Sequence, residues 1–296
     1  MPNLNDKVTR QIKPEWLKIK LHDGEGYAEV AHIVERHGLH TICSSGRCPN
    51  KSECWSRKTA TFMILGNICT RGCKFCATPT GKPLPIEPNE PERVAESIRL
   101  MGLRHAVITS VDRDDLPDAG AHHWKRVVEA IKTINPNTTV EVLLPDFDGR
   151  KELIEIALSA KPDIVGHNLE TVERITPMVR SRAKYHTSLQ SLNLMAQSGI
   201  PTKSGLMVGL GESHEEILEA LADLRKAGVE IVTLGQYLRP TAKHYPVARY
   251  MPPEEFDQLK EEAYAMGFKY VASAPLVRSS YLADKAVDAC TADKKE

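Results

Sequence analysis

From Thr59 onward the chain alternates short apolar runs with longer amphipathic stretches. The runs are Thr59–Gly66 (TATFMILG), His105–Val111 (HAVITSV), Thr138–Pro145 (TTVEVLLP), Asp163–Leu169 (DIVGHNL), Pro201–Leu210 (PTKSGLMVGL) and Glu230–Leu238 (EIVTLGQYL). Most are apolar at successive positions, as parallel strands buried on both faces should be. The stretches between them have readable helix ends. Asn89 stands at an N-cap with Pro91 in the first turn and Gly102 at the stop. The segment Gly149–Ala160 gathers Leu153, Ile154, Ala157 and Leu158 on one helical face. Ser213 and Glu216 form a capping box for a helix that Gly228 ends, and Pro252–Met266 reads as a further helix stopped by Gly267.

Six strand–helix units in a row predict a parallel sheet with right-handed crossovers. Such a series can close into a full or partial barrel, or spread as an open doubly wound sheet. In each case the functional loops lie at the C-terminal ends of the strands.

Composition narrows the class without naming an activity. The 296 residues suffice for one barrel-sized core, and the mean hydropathy of −0.33 is ordinary for a water-exposed globular chain. With 39 basic and 39 acidic residues the net charge is zero, so charge supplies no reason to expect nucleic acid or a membrane as partner. No apolar run approaches the ~20 residues of a membrane span. The first twenty residues, MPNLNDKVTRQIKPEWLKIK, are basic but lack the apolar core of a secretory signal, so a cytoplasmic location is expected. The tail Ala289–Glu296 is expected to fray.

The cysteines change the picture. Six of seven (Cys43, Cys48, Cys54, Cys69, Cys73 and Cys76) lie within 34 consecutive positions. A chain that builds its own core does not need a disulfide framework, and thiols this concentrated point to metal ligation in a reducing compartment. Cys290, far away in a polar tail, reads as an incidental thiol.

The six form two spacings. Cys69, Cys73 and Cys76 make a C-x3-C-x2-C triad on the loop after the first strand, with Gly72 expected to ease the backbone where the chain wraps. Three thiolates there can hold three irons of a cuboidal cluster and leave the fourth open. A zinc knuckle from Cys73 and Cys76 is the competing reading, but no second C-x2-C or H-x3-H pair completes it. Cys43, Cys48 and Cys54 make a C-x4-C-x5-C triad upstream.

The downstream triad, with Phe75 before its last cysteine and α/β repeats after it, resembles the radical SAM superfamily. The upstream triad with RCPN is similar to the lipoyl synthase family within it. So are KPEWLK, ATFMILGNICTRGCKFC, VITSVDRDDLPDAGA, HNLET, SGLMVGLGE, QYLRPT and VRSSY. The resemblance implies an enzyme with two 4Fe–4S clusters and S-adenosylmethionine (SAM). Cys69, Cys73 and Cys76 would hold the cluster whose open iron binds SAM for reductive cleavage to a deoxyadenosyl radical. Cys43, Cys48 and Cys54 would hold an auxiliary cluster that donates sulfur to carbons 6 and 8 of a protein-bound octanoyl-lysine. The auxiliary cluster's fourth ligand would come from Arg278-Ser279-Ser280-Tyr281, assigned to Ser280 with Ser279 the alternative. On residues alone Ser280 reads as an N-cap for the helix that follows.

Further SAM contacts are expected at the strand ends: Phe75, Thr109, Ser110, Asn168, Glu170, Arg182 and Gln236, with Gly205–Gly211 letting the backbone approach an adenine and Arg239 beside Gln236. Gly209 and Gly211 do not match a dinucleotide fingerprint. Arg182 reads equally as part of a solvated helix start. Asp112, Asp114 and Asp115 read as a solvated loop stabilised by Arg113, and His122, His123 and His167 as structural. The implied partners are octanoylated lipoyl-carrier domains of 2-oxo acid dehydrogenase complexes or the glycine-cleavage carrier protein, with ferredoxin or flavodoxin as electron donor. Arg71, Lys74 and Lys243 are candidates for the carrier's docking surface. Biotin synthase and the methylthiotransferases would share the radical chemistry, but the first lacks the upstream triad and RSSY, and the second carry an added RNA-binding domain. The expected fold class is α/β, a partial (β/α)6 TIM-type barrel over residues 59–268. A cysteine-rich extension (1–58) precedes it and a C-terminal extension (269–296) follows.

Overall fold

Each apolar run becomes a strand shorter than the run itself, and flanking residues such as Leu65, Val111, Leu144 and Tyr237 stay buried in the loops that follow. The computed structural model describes residues 13–19, 25–57, 59–281 and 283–291. The reading of the first twenty residues and the fraying expected of 292–296 fall mostly or wholly outside that range. The strands are β1 (His40–Thr41), β2 (Thr61–Ile64), β3 (His105–Ser110), β4 (Thr139–Leu143), β5 (Ile164–Gly166), β6 (Thr202–Val208), β7 (Ile231–Gln236) and β8 (Tyr270–Ser273). They form one open sheet in the order β1 to β8. From β2 to β8 every pairing is parallel, and β1 adds an antiparallel edge.

The six expected strands are present, and the sheet does not close. It also runs past residue 268, because β8 pairs with β7 from Ile231↔Tyr270 to Leu234↔Ser273. The sequence shows no strand there because β8 is only four residues long and half of them keep some solvent exposure.

The helices are α1 (Glu25–Arg36), α2 (Ile42–Ser45), α3 (Lys51–Ser56), α4 (Glu90–Met101), α5 (Ala121–Ile134) and α6 (Lys151–Leu158), then α7 (Thr176–Val179), α8 (Tyr185–Ala196), α9 (His214–Lys226), α10 (Pro253–Ala265) and α11 (Asp284–Thr291). Ser213 caps α9 with both halves of the capping box in place. Gly102, Gly228 and Gly267 take positive φ just past α4, α9 and α10. The core packs between the sheet and these helices, with Phe62, Ile64, Ile108, Trp124 and Phe256 essentially inaccessible.

Two polar devices inside this core aim the strand ends. Glu90, at the start of α4, accepts from the Leu65 amide at 2.8 Å and meets His123 Nε2 at 2.6 Å. It thereby fixes the turn after β2, where Leu65 and Gly66 both have positive φ. Lys203 of β6 and Glu141 of β4 form a buried ion pair at 2.7 Å that spans the intervening β5. Burial alone would raise the Glu141 carboxyl, but Lys203 and His105 hold it below the usual range.

Candidate active site

The loop after β2 carries Cys69, Cys73 and Cys76 and is tied down on three sides. It closes on itself through Cys69 N–H to the Pro79 carbonyl (2.8 Å) and Gly81 N–H to the Cys69 carbonyl (3.0 Å). Thr70 N–H reaches the Asp112 carbonyl after β3 at 3.1 Å, and Lys74 N–H the Val179 carbonyl of α7 at 2.7 Å. His244 Nε2, beyond β7, meets the Cys76 carbonyl at 2.9 Å. Gly72 is not what lets the chain wrap: its φ is not positive, and an added Cβ would find only ordinary contacts with Thr80 at 3.5 Å.

The VDRDDL run and Arg71 differ from expectation in the same way. Arg113 does pair with Asp115, at 2.8 Å. Asp112 and Asp114, however, turn inward onto Arg71, whose side chain is only 4% exposed. Arg71 forks onto Asp114 at 2.8 and 2.9 Å and reaches Asp146, after β4, at 3.0 Å. It is therefore an internal clamp and no docking residue, whereas Lys74 and Lys243 are exposed. Burial works against the Asp146 charge, yet Arg71 and neighbouring donors hold that carboxyl at about 2. Asp112 is raised by burial despite Arg71, and it accepts a hydrogen bond from the Cys69 thiol at 3.6 Å.

The upstream triad is built on short helical turns. Thr41 caps α2, which carries Cys43, and Cys54 sits on α3. The C-terminal segment lies across it. Asn50 Nδ2 donates to the Leu276 carbonyl at 2.7 Å, and Tyr281 OH reaches Glu53 at 3.1 Å. Between those ties Ser280 Oγ accepts from Thr61 Oγ1 at 2.8 Å, so it does not cap α11, which begins at Asp284. Ser279 turns the other way and accepts from Asn168 Nδ2 at 2.7 Å.

A cavity of about 350 Å³ opens over the C-terminal ends of the strands. Its wall includes Cys43 and Cys48 of one triad, all three cysteines of the other, and both Ser279 and Ser280. Phe75, Thr109, Ser110, Asn168 and Glu170 line it as expected positions. A second cavity adjoins the first and adds Cys54; Cys43, Cys48, Arg278 and Ser280 belong to both. Two expected residues stand elsewhere. Gln236 is buried and spends its amide on the Val208, Tyr237 and Arg249 carbonyls and the Met251 N–H. Arg182 is 53% exposed, pairs with Asp148 at 2.7 Å, and does not line the cavity. Of its near neighbours in sequence it is Arg180 that reaches the wall, bonded to the Asn168 carbonyl at 3.2 Å and Ser188 at 3.1 Å, with its Nε buried and without a hydrogen-bond partner among the described residues. Arg239 bonds the His244 carbonyl at 2.8 Å.

The remaining polar residues are structural. His167 bridges the Leu144 carbonyl and Ser188, and burial, seconded by Arg180, lowers its pKa to about 4. Cys290 is not incidental to a loose tail: it is buried on α11 against Ile164 and Ile231.

The donor set tests which groups can be held. Burial pushes the Cys54 and Cys69 thiols up to about 12 and raises Cys48 and Cys73, so bare thiolates are disfavoured in this environment. Among the described residues no three His, Cys, Asp or Glu side chains converge as ligands of one ion. Thiols set on separate turns suit a cluster, in which each takes its own iron. Between the triads, Asn168 Oδ1 is buried without a partner and Glu170 is raised by burial, so the wall offers unspent acceptors to an amino group. The residues therefore fit an iron–sulfur group at each triad with a zwitterion between.

A family model described as the radical SAM superfamily matches residues 63–224, more than half of the chain. The Streptococcus suis enzyme SuiB, solved bound to S-adenosylmethionine, superposes with a TM-score of 0.57 at 12% identity, over 75% of this chain and 54% of SuiB. HydG, a maturase of the FeFe-hydrogenase, gives 0.56 at 12%, over 89% of this chain and 74% of HydG. At these identities the likeness is one of fold. The chain is thus a radical SAM protein, an enzyme class built on a 4Fe–4S cluster and SAM.

Curated relatives narrow the class. A protein named lipoyl synthase from Bacteroides fragilis is 61% identical over 281 residues, covering 95% of this chain and 97% of the relative. Another from Treponema denticola is 54% identical over 277 residues, covering 94% and 96%. The chain belongs to the lipoyl synthase family, whose work is lipoyl cofactor biosynthesis. No helix among the described residues is long and apolar enough to cross a membrane.

Proposed function

We propose that this enzyme inserts sulfur at carbons 6 and 8 of an octanoyl chain borne on a lysine of a carrier domain, with an auxiliary 4Fe–4S cluster as the sulfur source. The observation that carries this reading is one cavity whose wall includes Cys43, Cys48, the whole downstream triad and Ser280, with Cys54 in the cavity that adjoins it. A substrate carbon in that cavity is within reach of radical generation on one side and of a sulfur donor on the other. The clusters and SAM supply the electron transfer, the hydrogen-abstracting radical and the sulfur; the chain positions, shields and orients.

Each part has a stated task. Cys69, Cys73 and Cys76 hold the SAM-binding cluster, kept in place by the Arg71 clamp. Cys43, Cys48, Cys54 and Ser280 hold the auxiliary one. Ser280 is favoured over Ser279 because it borders both cavities, whereas Ser279 is engaged by Asn168 and borders only the first. A hydroxyl ligand is harder than a thiolate and less suited to iron held by sulfide, which suits a cluster that is to be dismantled. Arg180, Asn168 and Glu170 would hold the amino-acid end of SAM, and the apolar wall from Met63, Val107 and Leu206 would receive the octanoyl chain. Residues 1–58, 59–268 and 269–296 act as cluster arm, catalytic sheet and serine-bearing strap, although the sheet takes β8 from the strap. Lys74 and Lys243 are offered to an acidic carrier, and a small redox protein of the ferredoxin or flavodoxin type supplies electrons. Thiols so clustered require a reducing compartment, the cytoplasm.

Turnover of an octanoylated carrier peptide, read by mass spectrometry beside iron and acid-labile sulfide, tests the reading. Alanine at Cys69, Cys73 or Cys76 abolishes 5′-deoxyadenosine. Alanine at Cys43, Cys48 or Cys54 preserves it and stops thiolated product. Equal behaviour of the two sets, or zinc without sulfide, refutes the assignment.

A further inference from the structure

Arg278 stands where no carboxylate answers it. It is held in the strap over β7, so close that a Cβ at Gly235 would lie 3.3 Å from its Nη1. Among the described residues its guanidinium makes one hydrogen bond, Nη1 to its neighbour's carbonyl, Val277, at 2.6 Å. Among the described residues no aspartate or glutamate pairs with it. The surface it retains is cavity wall, since it borders both cavities at the point where they meet beside Cys43, Cys48 and Ser280. Arg57 and Arg104 border the second cavity too, but both are exposed and spend their charge in solvent.

A guanidinium withdrawn from water without an anion is unfavourable, and folded chains keep one only where a charge partner arrives later or is held at a site. Once metal-bound, three thiolates and a serine oxygen around sulfide-bridged iron form a concentrated negative charge. Arg278 is within Coulombic reach of that set through Cys48. Resting on the assignment of the upstream triad to an iron–sulfur group, we infer that Arg278 is the charge partner of that group and a positioning residue for its loading and retention. It borders the same cavity wall as Cys43, Cys48 and Ser280, so the strap would bring both the serine oxygen and a compensating cation. Loss of iron from the group leaves Arg278 uncompensated again, which couples the strap's seating to the state of the cluster.

The test isolates the site. In a chain carrying alanine at Cys69, Cys73 and Cys76, only the upstream triad can load, and anaerobic reconstitution should give about four irons per chain. In that background Arg278→Met is expected to lower iron and sulfide at least ~fivefold, and Arg278→Lys to restore most of both, because charge rather than fork geometry is at issue. In the reciprocal background, with alanine at Cys43, Cys48 and Cys54, Arg278→Met should load the remaining triad as fully as Arg278 does. In the full chain, whatever auxiliary cluster Arg278→Met retains should show a more negative reduction potential, since removing a cation disfavours the added electron. Undiminished iron in the first background, or an equal loss in both, overturns the proposal; the second result would make Arg278 a general folding residue. Failure of the unmodified upstream triad to bind iron would instead overturn the cluster assignment beneath it.

Discussion

Gly235→Ala is the perturbation that most directly tests whether the strap must lie where the structure places it. Gly235 is on β7, opposite Met207 of β6, and the next residue's amide bonds the Pro275 carbonyl at 3.2 Å. A Cβ at this position falls on the Val277 carbonyl: 3.0 Å from its carbon and closer still to its oxygen, where ordinary contact begins at 3.4 Å. The oxygen must retreat by about 1.3 Å. The strand cannot yield, because both of its neighbours are parallel strands of the same sheet, so the strap moves. Overpacking of this kind costs typically ~1–3 kcal/mol. More tellingly, Ser280 lies three residues beyond Val277 and is held by a 2.8 Å bond from Thr61. A shift of that size carries it out of hydrogen-bond range. The expected result is loss of about four of eight irons per chain, a fall of roughly tenfold or more in thiolated product, and continued SAM cleavage. Gly72→Ala, inside the triad loop but free of strain and of close contacts, should stay within ~0.5 kcal/mol of wild type and keep its iron. If Gly235→Ala retains every iron and its product, the strap does not need this register and the reasoning fails.

Three further outcomes follow from the buried charges. Arg71→Met removes the cation forked between Asp114 and Asp146, leaving Asp114 only the longer contact with the exposed Arg182 at 3.7 Å, and should cost about 3–5 kcal/mol in denaturant unfolding; Arg71→Lys, which cannot fork, should recover only part. His167 has a folded-state pKa near 4 against an ordinary value of 6.5. The unfolded chain therefore binds a proton that the folded chain refuses, so its contribution is intact above pH 6.5 and is lost as pH falls from 6.5 towards 4. The loss amounts to at most about 3 kcal/mol, and His167→Gln should flatten that part of the stability curve. Arg180→Met should raise the KM for SAM by roughly tenfold, as loss of a charged hydrogen bond does. Arg182→Ala, exposed and paired outside the cavity, should change it by less than about twofold.

The radical SAM class was legible along the chain because the cysteines proposed as cluster ligands share one loop. Cys69, Cys73 and Cys76 need only a few consecutive residues to face one point, so their spacing is the signal. The six long strands were legible for a similar reason, since a strand buried on both faces must be apolar at nearly every position. Family likeness supplied the roles of the upstream triad and the RSSY serine, which spacing alone does not give.

What the chain itself determined was thus everything that a short window of residues can enforce: capped helices, buried runs, and the two cysteine spacings. Tertiary structure decided where isolated charges and short elements end up. Arg71 looks like any surface arginine until loops after β3 and β4 close four aspartates around it. Arg180 and Arg182 differ by two positions in a basic run, and only the packing of α7 and α8 puts one in the cavity wall and the other in water. β8 is too short to announce itself. Ser280, the serine we propose for the upstream triad, lies 219 positions from Thr61, which holds it. No local pattern spans that distance, because the free energy that brings the strap home comes from contacts that exist only once the sheet has formed.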